Sequence, residues 1–133
     1  MNLYETFANN LVDEAKTFPL SETASITMLP IGGDKARRAF ERMMEPYSAR
    51  LQAGGSLTEA ENKALNIRFY ADHIVKGWTG INDAENQPIE FSPERAKALF
   101  TDKRLEGFFG LIVRMSQNEA AFKAQAEEDD SGN

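Results

Sequence analysis

His73 is the only histidine, so any imidazole chemistry in this chain must rest on it. It follows Tyr70 by three residues and Phe69 by four, at the margin of an apolar helical stripe. That spacing describes a flanking or packed side chain, with no Cys and no Ser in a strained turn to complete a catalytic set. Carboxylates are plentiful at Glu59, Glu61, Asp72, Asp83, Glu85 and Glu94, but they are distributed as solvated faces and helix caps are. The sharpest metal pattern counts from Asp83. Asp83, Glu85 and Gln87 would take the first, third and fifth places of a calcium loop, with Glu94 at the twelfth. The sixth place needs Gly for its sharp bend and holds Pro88, and Ser92-Pro93 already begins a helix. Metalloprotease, nucleophile-elbow and phosphate-loop patterns are absent. The residues therefore offer no catalytic set and no cofactor site, and Pro88 argues strongly against a calcium loop.

The elements that would carry these residues follow from composition and period. A chain of 133 residues, 41% apolar with nine Phe, can bury a core as one domain without disulfides or metal. The absence of cysteine excludes disulfides, thiolate metal sites and a Cys nucleophile. No apolar run approaches the roughly 20 residues needed to span a bilayer, and residues 1–16 lack the basic-then-apolar order of a signal peptide. The net charge is −6, of which Glu127, Glu128, Asp129 and Asp130 supply four, leaving −2 over residues 1–126. No Lys/Arg stripe marks a phosphate-binding face, so neither nucleic acid nor membrane is an expected partner.

Leu3, Phe7, Leu11 and Ala15 recur at steps of four and predict a helix over residues 2–17. Ala24, Ile26 and Met28 alternate with polar residues between Pro19 and Pro30, which predicts a short edge or isolated strand. Gly32-Gly33-Asp34 is a turn with Asp34 placed to cap a helix that Pro46 splits near Glu45. Thr58 and Glu61 form a capping box for a helix reaching about Lys76, with Ala60, Ala64, Ile67, Ala71 and Ile74 on one side. Gly77 is placed to end it in a left-handed conformation, and Trp78 to fold back as an anchor for Ile81, Ile89 and Phe91. Ser92-Pro93 starts a short helix, and Leu105, Phe108, Phe109, Ile112, Met115 and Phe122 mark the last one. The expected fold is mainly α, a compact domain of about five helices with one short β-strand or hairpin near residues 22–31. The domain spans residues 1–126, and residues 127–133 form a disordered acidic tail.

The order Gly77, Trp78, Gly80, Ile81, Asp83, Pro88, Ile89, Phe91, Ser92, Pro93 and Glu94, with Phe122 downstream, resembles the tail assembly chaperones of long-tailed bacteriophages and prophages. The segment MLPIGGD before a helix containing Arg38 and Phe40 is also similar, so the likeness covers roughly residues 20–125. The resemblance implies a non-enzymatic protein that binds the tape measure protein and helps recruit tail tube subunits. It further implies residence in the host bacterial cytoplasm, absence from the mature virion, and in many members a longer frameshifted form. Homo-oligomers are compatible with it. Met43, Met44 and Tyr47 are the candidate partner-binding residues, since methionine adapts its shape to varied surfaces. Two other readings stand beside it: a structural or adaptor helical protein that self-associates without chaperone activity, and a divalent-metal module using Asp83 and Glu94.

Overall fold

Thr58 and Glu61 show how local sequence sets the first boundary. In the computed structural model, which describes residues 1–7 and 12–131, the Glu61 amide donates to the Thr58 hydroxyl at 3.1 Å. The Thr58 amide donates back to the Glu61 carboxylate at 2.9 Å. This reciprocal cap starts helix α4, Glu59–Phe69. Before it, helix α2, Asp34–Met44, gives way to a 3-10 turn over Glu45–Tyr47 and then helix α3, Ser48–Gln52, with the break at Pro46. Arg50 of α3 reaches the same Glu61 carboxylate at 2.7 Å. The Arg50 guanidinium and the Thr58 amide together hold Glu61 down to about 2 from the usual carboxylate range. A carboxylate depressed in the fold stabilises it above the unfolded value and loses that contribution as pH falls through the folded value. Acid unfolding followed from about pH 6 to pH 2 is therefore expected to lose part of its stability between about 4.5 and 2. In Arg50→Ala that part should be smaller, as read by urea midpoints at each pH.

The sheet corrects the expected architecture. Instead of one strand or hairpin near residues 22–31, three antiparallel strands run β1, Lys16–Pro19, β2, Ser25–Met28, and β3, Val75–Thr79, in the order β1-β2-β3. The strand expected at an edge is the central one. Its flanking prolines cost no ladder bond, because Pro19 lies at the end of β1 and Pro30 two residues beyond β2. Ile26 faces Trp78 and Met28 faces Val75 across the β2–β3 pair, while Thr27 faces Gly77. Lys76 is thus the extra residue of a bulge, which puts Val75 and Trp78, three apart in sequence, on one buried face. Helix α4 does not continue to Lys76. It passes through a π turn over Tyr70–Ile74, closed by the Val75 amide donating to the Tyr70 carbonyl, and enters β3. Gly77 accordingly lies inside a strand and ends no helix.

The first helix is also shorter than expected. Helix α1 spans Leu3–Phe7, Leu11 lies outside the described residues, and Lys16 and Thr17 belong to β1. Helix α5 covers Pro93–Thr101, capped by Ser92 accepting from the Arg95 amide at 3.1 Å. A 3-10 turn over Lys103–Leu105 leads to α6, Glu106–Ser116, and α7 follows over Glu119–Ser131. Residues 127–131, expected to be disordered, are the last turns of α7, with Asp129 accepting from Lys16 at 3.4 Å. Residues 132–133 of the expected tail lie outside the described residues.

One face of the sheet carries the core. Ile26, Met28, Ile74, Ile112 and Phe122 are fully buried, and Phe122 of α7 meets Phe18 of β1 edge to face at 4.8 Å between ring centres. Tyr70 and Ser116 share a buried hydroxyl hydrogen bond at 2.8 Å, which ties the π turn to the end of α6. At the start of α2 the cap is not Asp34. The amides of Asp34 and Lys35 donate to the Asp13 carboxylate, at 3.1 and 3.3 Å. Gly33 leaves the space this carboxylate occupies, since a Cβ there would collide with it.

Candidate functional site

The residues from Gly77 to Pro93 converge on a closed loop. Trp78 is 8% exposed, its indole Nε1 donates to the Ile89 carbonyl at 2.7 Å, and Phe91 meets it edge to face at 4.9 Å. Phe108 of α6 adds a second ring at 6.4 Å. Gly80 has φ of 72°, and a Cβ on it would strike the Thr23 carbonyl across the turn that joins β1 to β2. Beyond it the Ile89 amide donates to the Ile81 carbonyl at 2.8 Å, and Asn82 bridges to Pro88. Asp83 closes the tip: its carboxylate accepts from the amides of Glu85 and Gln87, both at 2.9 Å. Asn86 takes the left-handed conformation the tip requires, at φ 61°. One carboxylate oxygen of Asp83 is thus spent on its own loop, and Glu94 lies in the first turn of α5 and is exposed. Among the described residues no cluster of three or more His, Asp or Glu could hold a metal ion.

His73 sits in the π turn, half-buried, 6.5 Å from the Phe69 ring. It has no hydrogen bond or ion pair among the described residues. Burial lowers its pKa first; Asp72 opposes this, and Lys76 and Arg42 add to it. The charged groups that act on the ring are the Asp72 carboxylate and the Lys76 and Arg42 cations. Met43, Met44 and Tyr47 are half-buried where α2 meets α3. Met43 packs on the core, and the Arg50 guanidinium lies 5.3 Å from the Tyr47 ring centre.

A groove whose floor includes the exposed residues Ala60 and Ala64 lies between α4 and α5. Ala60, Ala64 and Ile67 floor this open groove of about 390 Å³, bordered by Lys63, Arg68, Lys97 and Thr101. Ala60 and Ala64 are exposed, because α4 turns Leu65 and Phe69 toward the core instead. The sequence carried this signal as apolar residues on two sides of one helix, one more side than a half-buried helix needs. Lys97 pairs with Asp72 at 2.9 Å, whereas Lys63 and Arg68 have no ion pair among the described residues. No helix among the described residues is long and apolar enough to cross a membrane.

No curated protein and no solved structure matches the chain. A family model described as YdaY prophage protein matches residues 31–133, a span that takes in α2, the Trp78 loop, the α4–α5 groove and α7. The chain belongs to the YdaY prophage protein family.

Proposed function

We propose that this prophage protein is a non-enzymatic tail assembly chaperone that binds the tape measure protein and helps recruit tail tube subunits. The observation that carries the reading is the residue order from Gly77 to Glu94, held in a chain of a prophage family. The α4–α5 groove supplies a physical means. An open floor of small apolar side chains accepts a helical client segment without deep pockets that would demand one sequence. Such a protein works in the host cytoplasm and leaves before the virion matures.

Co-expression with a phage tape measure protein tests the reading. The expected result is soluble co-purification of the two chains, reduced when a charge is set into the groove floor by Ala64→Glu. Failure to bind that protein, or the presence of this chain at full stoichiometry in mature particles, overturns it. The latter result would make the protein a structural adaptor.

A further inference from the structure

Four basic side chains border one cleft beside α2. Lys35 and Arg42 come from the two ends of α2, His73 from the π turn, and Lys76 from the β3 bulge. Ala15, Leu29 and Ala39 complete the lining, and the cleft holds about 460 Å³. Lys35, Arg42 and Lys76 have no side-chain ion pair among the described residues. The nearby acids make no ion pair with these three cations among the described residues. Asp13 accepts the backbone amides that start α2, Asp72 pairs with Lys97, and Glu41 pairs with Arg37 at 2.8 Å. Glu45 borders Arg42 only on a neighbouring surface depression. The bulge has a direct part in this, because an extra strand residue is aimed differently from its neighbours. Here that residue is Lys76.

Three exposed cations around one recess, without ion-pair partners among the described residues, give it a positive local potential in a chain of net charge −6. We propose that this cleft is a binding site for a compact multivalent oxyanion of the phosphate class. The Arg42 guanidinium offers a planar fork to two oxygens, and Lys35 of α2 and Lys76 of β3 supply point charges. A dianion matches three full positive charges better than a single carboxylate does. The recess is small, about 460 Å³, and the chain as a whole acidic, which suits a small phosphate compound better than a duplex. The inference is independent of the chaperone reading, since it uses neither the α4–α5 groove nor the tape measure protein.

His73 is a built-in reporter, because its imidazole signals are the only ones in the protein. Its pKa is to be followed by proton NMR in inorganic phosphate and in sodium chloride of equal ionic strength. An anion in the cleft faces the ring together with Lys76 and Arg42, and Asp72 is the neighbouring carboxylate. Phosphate should raise the His73 pKa by about one unit over the chloride value. The doubly substituted Arg42→Ala, Lys76→Ala protein should show no such rise. Both substituted side chains are on exposed residues, and the backbone amide spectrum checks that the fold persists; Lys76→Gln alone serves if the double variant does not fold. Identical pKa values in phosphate and chloride overturn the proposal, as does an undiminished rise in the variants. Citrate acting as strongly as phosphate overturns the phosphate class. A nucleoside monophosphate or a single-stranded oligonucleotide that displaces inorganic phosphate supports the site and assigns its natural source.

Discussion

Trp78→Ala is expected to lower the unfolding free energy by about 4 kcal/mol. The indole is almost fully buried against Phe91 and Phe108, and alanine leaves a cavity that two other rings can only partly fill. It also strips the Ile89 carbonyl of its 2.7 Å donor. Trp78→Phe separates the two contributions. Most of the volume stays, the hydrogen bond is lost, and the expected cost falls to about 1–2 kcal/mol. Urea unfolding followed by far-UV circular dichroism measures both, since the substitutions remove the protein's only tryptophan and its fluorescence. An alanine variant within about 1 kcal/mol of the parent would show that the loop is not fastened through this ring.

Gly80→Ala should cost about 3 kcal/mol. Any L side chain at φ 72° is strained by about 1–2 kcal/mol. The added Cβ also meets backbone, the Thr23 carbonyl and the Ala24 Cα, which cannot swing aside as a flexible side chain would. Gly77→Ala is the control. Gly77 has open space at its Cβ position and no positive φ, so the change should stay within about 0.5 kcal/mol of neutral. The two glycines of the Gly-Trp-Thr-Gly step are therefore unequal: one is required by the backbone, the other is not. Equal losses for the two variants, measured by urea unfolding, would contradict this account.

The same contrast explains what could and could not be read from the residues. Caps were legible where the capping group is local, as at Thr58 with Glu61 and at Ser92. Strands β1 and β3 were not, for reasons visible in their side chains. In β1 only Phe18 is buried, so four residues give no alternation to detect. In β3 the bulge spaces the buried pair Val75 and Trp78 by three, which imitates the helical period arriving from Ile67, Ala71 and Ile74. The change from helix to strand falls inside one apolar run, and the π turn that makes it has no residue pattern of its own. The groove and the basic cleft were hidden for a related reason. Each is assembled from elements distant in sequence, and Lys35, Arg42, His73 and Lys76 form no stripe on any single helix.

The Asp13 carboxylate at the head of α2 has a consequence for how the chain gains its structure. A helix whose first amides are satisfied by a residue twenty-one positions upstream cannot complete its first turn from local sequence alone. The β1–β2 hairpin lies between Asp13 and the amides it caps, so forming that contact closes the chain over the hairpin at an entropic cost. Helix start and sheet thus belong to one cooperative unit. Fraying of α2 at Asp34 and detachment of the segment before β1 are the same opening event, seen from its two ends.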